Sequence, residues 1–274
     1  MGTLDKIIAD KRIEVEERKS RCSADELKSR AADQPAPLNF FKQITKPPEE
    51  SNPPKLVNVI AEIKRASPSA GLIYEGDFDP VAIAASYQSA GADAISCLTD
   101  EKYFQGDLAY IAAIKKHVAL PVLRKDFIID LWQVYESRAA GADAILLIAE
   151  CLATNEMIDL QILATELRMT TLIEVHDIDN LIRVRDCVIG FPMKSYSLLG
   201  INNRDLRTMK VDINNTLRVL DLVEDRATLV SESGISTRDH VQRLASGGVR
   251  AVLVGETLMR SDNVANTMWQ LFGV

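Results

Sequence analysis

Short apolar runs alternate with longer amphipathic stretches from residue 56 to the end of the chain. The runs are rich in valine, isoleucine and leucine, which is typical of buried strands. The stretches between them repeat apolar positions at helical spacing, as in DPVAIAASYQSAG, VDINNTLRVLDLVE and TRDHVQRLASGG. We therefore predict eight strands, at residues 56–63, 94–98, 121–124, 143–148, 170–174, 197–202, 227–231 and 250–254.

A short motif repeats where predicted helices give way to strands. GADAI occurs at 91–95 and at 141–145, and the related GVRAV occurs at 248–252. In each copy a glycine ends a helix and the next strand begins almost at once. Strand–helix alternation implies a parallel sheet, and eight copies favour an α/β fold of the closed (β/α)8 TIM-barrel type. A doubly wound sheet is the weaker alternative, since neither GxGxxG nor GxxxxGK[ST] occurs in the sequence.

The chain before the first strand has a different pattern. Residues 4–19 place Leu4, Ile7, Ile8 and Val15 near one face of a predicted helix. Ser23 and Glu26 have the spacing of a capping box, which would start a second short helix. The N-terminal region is thus predicted to be a helical extension of the barrel.

Six of the ten prolines fall within residues 35–54, which excludes a long helix or a central strand there. We interpret this stretch as a connector, with Phe40 and Phe41 as its apolar anchor. The predicted organisation is a helical arm and proline-rich connector, residues 1–54, packed on a catalytic barrel, residues 55–274.

The composition of the chain argues against several classes of function. The formal net charge of −7 argues against general nucleic-acid binding, which requires a basic face. No apolar stretch is long enough to span a bilayer, and the N-terminus lacks the apolar core of a signal peptide. The four cysteines, with no CxxC pair, favour a reducing compartment, and three histidines argue against a histidine-rich metal site. We expect a cytoplasmic protein that binds neither nucleic acid nor membrane.

Polar side chains lie at the carboxyl ends of the apolar runs. A strand that served only to fill the core would not need polar residues there. They are Glu62, Lys64, Lys125, Glu174, Asn202, Glu232 and Ser233. The carboxyl ends of the strands of a parallel barrel meet on one face, so these groups should share one cavity. The sequence therefore predicts an active site with two lysines, several carboxylates and an amide.

The alternation of side chains along a strand predicts which of these residues face the cavity. Glu62 and Lys64 are two residues apart and so share one side of their strand, although a salt bridge at the barrel rim is the alternative. Arg124 and Lys125 are adjacent, so only one of them can face the cavity. Glu174 ends an apolar run, where burial could raise its pKa and suit it to act as a base.

Other positions have both a structural and a functional interpretation. His176 is expected to be a local hydrogen-bond partner rather than a catalyst. Ser67 and Ser69 suit turn formation as well as ligand contact. Arg204 could bind a carboxylate, while Asn203 and Asp205 could shape the loop.

The loops after the last two predicted strands contain small residues. Ser233 and Gly234 follow the seventh strand, and Gly255 follows the eighth. Small residues let backbone N–H groups approach an anion, which favours phosphate binding over simple tight turns.

The motifs AEIKRASPS, CLTDEKYFQG, LRKDFI, LIEVHD, GINNRDL and SESGIS occur in this order. In this set and order the chain closely resembles the indole-3-glycerol phosphate synthase family of tryptophan biosynthesis, from LDKIIADKR near the start to VGETLMR near the end. The resemblance implies a carboxy-lyase that acts on 1-(o-carboxyphenylamino)-1-deoxyribulose 5-phosphate. Indole-3-glycerol phosphate, carbon dioxide and water would be the products, and no cofactor or metal would be used.

The resemblance also implies roles for individual residues. The catalytic roles are Lys125 as general acid, Glu174 as general base for dehydration, Lys64 as contact to the substrate's anionic groups and a second proton donor, Glu62 as the carboxylate that orients the lysines, and Asn202 as partner of a substrate hydroxyl. The binding roles are Ser67, Phe127 and Phe104 at the anthranilate part, Arg204 and Glu232 beside the site, and Ser233, Gly234, Gly255 and Glu256 at the phosphate.

Some positions depart from the pattern expected of the family. Leu131 and Trp132 stand where a Pro-Tyr pair is frequent, and Glu150 and Cys151 replace small residues after the fourth strand. The Glu256 side chain should turn away from the phosphate. The segment 187–197 is longer than usual and should lie on the barrel face opposite the chemistry.

Two alternatives remain open at this stage. One is a Schiff-base aldolase that uses Lys125 or Lys64 as nucleophile on a phosphosugar. The other is a non-catalytic barrel that binds a phosphorylated metabolite. Under the family interpretation we expect a monomer or weak homodimer with a small phosphorylated ligand, able to contact other enzymes of the tryptophan pathway.

Overall fold

The computed structural model of the chain describes residues 2–51, 53–188, 195–205 and 210–273. Within these residues, eight parallel strands close into a barrel. The strands are β1 (Asn58–Ile63), β2 (Ala94–Leu98), β3 (Val122–Lys125), β4 (Ala144–Ile148), β5 (Thr170–Val175), β6 (Ser197–Asn202), β7 (Leu229–Glu232) and β8 (Ala251–Val254).

Strand order follows the chain, and β1 pairs with both β2 and β8 to close the barrel. The eight predicted strands are confirmed, with boundaries that shift by one or two residues. The starts of β1 and β7 each shift by two residues, from 56 to 58 and from 227 to 229. Arg226–Thr228 instead form a 3₁₀ turn that Asp225 caps by accepting from the Ala227 N–H.

Helices surround the barrel and also precede it. They are α1 (Thr3–Arg21), α2 (Ala24–Ala32), α3 (Phe40–Thr45), α4 (Pro80–Ser89), α5 (Glu101–Phe104), α6 (Ala109–Lys115), α7 (Leu131–Ala139), α8 (Thr154–Glu166), α9 (Ile178–Val188), α10 (Asn214–Arg218), α11 (Arg238–Ser246), α12 (Glu256–Met259) and α13 (Val264–Phe272). The helix predicted for 211–224 is wrong in part, because α10 stops early and a 3₁₀ turn, Leu220–Leu222, follows. The predicted N-cap of the second helix is confirmed, since the Ser23 side chain accepts from the Glu26 N–H.

The GADAI repeat has a structural cause. Gly91 and Gly141 have φ angles of 86° and 93°, in the left-handed region that glycine adopts readily. Asp93 accepts a hydrogen bond from the Val59 N–H at 2.8 Å, and Asp143 accepts one from the Val122 N–H at 2.7 Å. Each aspartate therefore joins the start of its own strand to the preceding strand.

The connector closes the N-terminal end of the barrel. Phe40 and Ile44 of α3 are fully buried among the side chains that fill the barrel interior. Asn58 at the start of β1 donates to the Ile44 and Lys46 carbonyls, both at 2.8 Å. The predicted apolar anchor is confirmed, and it leaves only the carboxyl end of the barrel for a site.

The arm reaches that carboxyl end through α1. Ile7, Lys11 and Val15 are buried on one face of the helix. Lys11 Nζ lies 2.9 Å from Asp100 and 3.0 Å from Asp126, two carboxylates that follow β2 and β3. The buried lysine was not predicted, because a lysine is ordinarily solvated even when, like Lys11, it shares a helix face with apolar residues.

The second arm helix packs on the barrel wall at α7. Leu27 and Ala31 contact Trp132 and Ala139 there, and the Trp132 Nε1–H donates to the Cys22 carbonyl at 3.0 Å. Trp132, which departs from the expected family pattern, thus helps to hold the arm. No helix among the described residues combines the length and apolarity needed to cross a membrane.

Candidate active site

A cavity opens at the carboxyl ends of the strands, where the predicted polar side chains converge. Every residue predicted for the site lines it, and α1 contributes Thr3, Leu4 and Ile7 to its wall. The convergence follows from strand register, because residues that end neighbouring strands lie opposite each other. Glu174 is paired with Gly200, and Asn202 with Glu232.

The centre of the cavity is the Lys125 ammonium. Its Nζ lies 3.0 Å from Glu232 Oε2, 3.3 Å from Glu174 Oε2 and 3.7 Å from Glu62 Oε2. Burial favours the neutral amine, but the three carboxylates outweigh it and raise the pKa of Lys125 well above its usual value. Lys125 is therefore a charged proton donor at neutral pH.

The neighbouring residue Arg124 faces the opposite way, as strand alternation predicts. It lies between the barrel and the helices, 2.8 Å from Glu136 and 2.9 Å from Asp126. Asp126 also contacts Lys11 of α1, so the arm is bound to the residue that follows Lys125.

Glu62 lies between the two site lysines. Its Oε1 pairs with Lys64, and its Oε2 faces Lys125. Burial opposes ionisation, but the two lysines together lower the pKa of Glu62. The shared side predicted for Glu62 and Lys64 is confirmed.

Two glycines make room for the carboxylates. A Cβ atom at Gly255 would overlap the Glu62 carboxylate, and one at Gly200 on β6 would overlap the Glu232 carboxylate. Gly200 was missed in the sequence, although a glycine inside an apolar strand indicates close approach of another group. Gly255 has a φ of −118°, so the space required by Glu62, not the backbone conformation, explains this glycine.

The expected raised pKa of Glu174 is wrong. Burial would raise the pKa, but Lys125 and His176 outweigh burial and hold the pKa well below its ordinary value. Burial instead raises the pKa of Glu232 to about 8, against the opposing effect of Lys125. Glu174 is the ionised carboxylate of this pair at neutral pH.

Glu174 also has two partners on its Oε1. Asn202 Nδ2 donates to this oxygen at 3.2 Å, and His176 Nε2 lies 3.2 Å from it. His176 Nδ1 lies 3.1 Å from Glu150 Oε2, which confirms the expectation that His176 is a local hydrogen-bond partner.

The loop after β7 has an unusual backbone. Ser233 and Gly234 have φ angles of 66° and 77°, and a Cβ at Gly234 would overlap the Val211 side chain. Asn203 holds this loop by donating to the Ser231 hydroxyl at 3.0 Å and the Ser233 carbonyl at 3.1 Å. The loop-shaping interpretation of Asn203 is thereby confirmed.

The loop after β8 lies beside the loop after β7 and leads into α12. The Glu256 side chain turns towards Arg260, whose Nε lies 3.1 Å from Oε1, and Arg204 Nη2 lies 3.9 Å from Oε2. The Glu256 side chain is thus paired with two arginines, and its orientation relative to a bound phosphate stays a prediction.

An apolar part of the cavity lies near the arm. The Phe104 and Phe127 rings have centroids 6.1 Å apart and line the cavity with Ile7. Ser67 accepts from the Ala70 N–H at 3.1 Å, which is turn chemistry, while its side chain still lines the cavity. Residues 189–194 of the long segment lie outside the described residues.

Solved structures of known proteins share the fold. The 3-hexulose-6-phosphate synthase from Salmonella typhimurium aligns with a TM-score of 0.60 at 13% identity, over 78% of this chain and 96% of that one. A tryptophan synthase alpha-subunit from Pyrococcus furiosus aligns with a TM-score of 0.56 at 12% identity, over 79% and 98%. At this identity the likeness shows the TIM-barrel fold alone.

Sequence comparison identifies the family. A family model described as indole-3-glycerol phosphate synthase matches residues 4–271. Proteins of that name from Rhodopirellula baltica and Neisseria meningitidis serogroup B are each 44% identical to this chain, over 96% and 98% of both chains respectively. The Geobacillus kaustophilus protein of that name is also 44% identical, over 98% of this chain and 96% of its own. The chain therefore belongs to the indole-3-glycerol phosphate synthase family.

Proposed function

We propose that this protein closes the indole ring of 1-(o-carboxyphenylamino)-1-deoxyribulose 5-phosphate to give indole-3-glycerol phosphate, carbon dioxide and water. The observation that carries the proposal is the buried Lys125 ammonium within 3.7 Å of three carboxylates from three other strands. Such a site can both give and take protons around one bound molecule.

Lys125 acts as the general acid in ring closure. The ring carbon that bears the carboxylate attacks the substrate ketone carbon, and the ketone oxygen takes a proton from Lys125. Carbon dioxide then leaves, and its bonding electrons restore the aromatic ring. The raised pKa of Lys125 supports this role, because the group is fully protonated before the reaction.

Glu174 acts as the general base in dehydration. Loss of the new hydroxyl as water needs a proton donor at the oxygen and a base that removes a proton from the substrate. The lowered pKa of Glu174 keeps it ionised for this step, and Asn202, which already holds Glu174, also binds the substrate hydroxyl.

Lys64 and Glu62 prepare the site for the substrate. Lys64 binds an anionic group of the substrate and serves as a second proton donor. Glu62 fixes the separation of the two lysines, since one of its oxygens faces each. Glu232, protonated in part at neutral pH, sits beside Lys125 and contacts the substrate.

The phosphate binds at the loops after β7 and β8. Backbone N–H groups of Ser233, Gly234, Gly255 and Glu256 would surround it, and Arg204 adds a positive charge nearby. The left-handed backbone at Ser233 and Gly234 supports this, because such a turn forms a concave surface for an anion. The anthranilate part then lies against Phe104, Phe127 and Ser67.

The arm, residues 1–54, completes the catalytic barrel, residues 55–274. Its α3 closes one end of the barrel, and its α1 forms one wall of the substrate cavity. Thr3, Leu4 and Ile7 support this division of roles, since all three line the cavity although they precede the first strand by more than 50 residues.

The Schiff-base alternative needs a neutral amine as nucleophile. The carboxylates around Lys125 favour its ammonium form, which disfavours that mechanism.

We also propose a cytoplasmic site of action for a monomer or weak homodimer that can contact other tryptophan-pathway enzymes. The free thiols of Cys22, Cys97 and Cys151 suit a reducing compartment.

Removal of either proton-transfer group should nearly abolish turnover. We expect Lys125→Ala and Glu174→Gln each to lower kcat by about 10²–10⁴-fold, the usual contribution of a positioned acid or base. The assay follows indole fluorescence after addition of the carboxyphenylamino substrate, with the exposed Lys42→Ala as control. Normal rates in both variants, or borohydride trapping of a substrate adduct on Lys125, would contradict the mechanism.

A methyl group at Gly255 should displace the carboxylate that separates the lysines. We expect Gly255→Ala to lower kcat on the order of 10²-fold, because misplaced catalytic groups lose their productive geometry. The melting temperature should fall as well, because Glu62 is buried between the two lysines, so kcat is measured at a temperature at which the variant is folded. Unchanged kcat in this variant would remove the positioning role of Glu62.

The wall formed by α1 can be tested by shortening one side chain. Ile7→Ala should raise KM on the order of 10-fold, because Ile7 is buried against the cavity and its loss removes apolar contact with the substrate. The matched control is Ile13→Ala on the same helix, where the side chain is 62% exposed. Equal KM values in the two variants would mean that the arm does not contact the substrate.

A further inference from the structure

A histidine and a second carboxylate lie behind Glu174, outside the set of residues that line the cavity. Glu150 is in the 3₁₀ turn Ala149–Cys151 that follows β4. Its Oε1 accepts from the His176 backbone N–H at 2.9 Å, and its Oε2 lies 3.1 Å from His176 Nδ1. The other ring nitrogen, Nε2, lies 3.2 Å from Glu174 Oε1, an ion-pair contact that lacks the geometry of a hydrogen bond. The imidazole is thus placed between two carboxylates, with its orientation fixed by Glu150.

A carboxylate beside each ring nitrogen favours the protonated ring. A neutral imidazole has one N–H donor and one lone pair, so one of its nitrogens would face a carboxylate with no proton between them. An imidazolium donates from both nitrogens. The side chain is only 6% exposed, so water cannot replace either partner. The geometry is therefore complementary to a positively charged ring.

The charged groups that act directly on this ring are Glu150, in the turn after β4, and Glu174 on β5. Lys125 of β3 lies beyond Glu174, and Arg183 of α9 donates to the Ala149 carbonyl beside Glu150. The adjacent Cys151 is a neutral thiol, because burial raises its pKa. Burial lowers the pKa of His176, but the neighbouring carboxylates of Glu150 and Glu174 outweigh burial and raise that pKa to about 10. The negative groups nearest the ring thus decide its charge.

We propose that Glu150 and His176 are positioning residues that hold the general base, with Glu150 keeping the His176 ring charged and aimed at Glu174 Oε1. This proposal rests on the proposed function, in which Glu174 removes a proton from the substrate. Neither residue touches the substrate. Both act through Glu174.

The two carboxylate oxygens of Glu174 therefore have different roles. Oε1 is held from one side by Asn202 and from the other by His176. Oε2 is buried without a hydrogen-bond partner among the described residues, and Lys125 Nζ lies 3.3 Å from it. Oε2 is therefore the oxygen that accepts the substrate proton.

The charge of His176 can be measured in the unmodified protein. With ¹⁵N-labelled histidine, NMR distinguishes a doubly protonated ring from a neutral one, and the chain has only three histidines. We expect both ring nitrogens of His176 to stay protonated until the pH nears about 10. The signal of His176 is identified as the one that disappears in the His176→Gln variant. In Glu150→Gln the pKa of His176 should fall by roughly one unit or more, because one of the two carboxylates beside it is gone.

The effect on the base is measured by the pH dependence of kcat. A cation beside a carboxylate lowers its pKa, so His176→Gln should raise the pKa of Glu174. The acid limb of the profile should then move up by roughly 1–3 pH units, with kcat recovering as the pH rises. Glu150→Gln should leave the acid limb in place, because the ring is charged at acid pH in that variant too. The matched control is Glu166→Gln, an exposed carboxylate at the end of α8, which should change neither measurement.

The outcomes separate this proposal from the function on which it rests. Full activity in Glu174→Gln would remove the function itself. Loss of activity in Glu174→Gln, together with a wild-type acid limb in His176→Gln, would keep the function and overturn the positioning role. A neutral His176 ring near pH 7 in the unmodified protein would also overturn it, and that measurement does not depend on any variant folding.

Discussion

The site depends on keeping one ammonium group charged where water is scarce. An unpaired buried charge is costly, so Lys125 requires compensating negative groups close to it. The barrel supplies them from β1 and β5, with the partly protonated Glu232 of β7 closest of all, and these strands are distant in sequence but end on the same face. The arrangement constrains the rest of the cavity. Gly200 and Gly255 must lack side chains to leave space for two of these carboxylates.

The same constraint recurs on the outer side of β3. Arg124 is fully buried and is paired with Asp126 and Glu136, and Asp126 in turn pairs with Lys11 of α1. Adjacent residues of one strand thus serve two ion-pair networks, one in the cavity and one beneath the arm. Breaking such a buried pair leaves an uncompensated charge, which makes the arm and the catalytic strand structurally dependent on each other.

The pattern of the sequence was sufficient for the barrel, because strand and helix spacing are local properties. It was also sufficient for the site at the level of which side chains converge, since parallel strands in a barrel end on one face. The ion pairs between these side chains could not be predicted from the sequence in the same way. Lys11 shares the apolar face of α1, but the partners that allow its burial lie about 90 and 115 residues away.

Protonation was the least predictable property. Burial at the end of an apolar run suggested a raised pKa for Glu174, but the raised pKa belongs to Glu232. The difference comes chiefly from Lys125, contributed by β3, and from His176, which follows β5 itself. Glu150 was noted in the sequence only as a departure from the family pattern, because its contact with His176 joins the ends of two strands 26 residues apart.

The central claim is that Lys125 gives its proton to the substrate ketone oxygen. Its most direct test is a crystal structure with a bound analogue in which a hydroxyl replaces the ketone. We expect Lys125 Nζ within about 3 Å of that hydroxyl oxygen, with the phosphate at the loops after β7 and β8. An analogue bound with its hydroxyl remote from Lys125, and with the three carboxylate contacts undisturbed, would contradict the account.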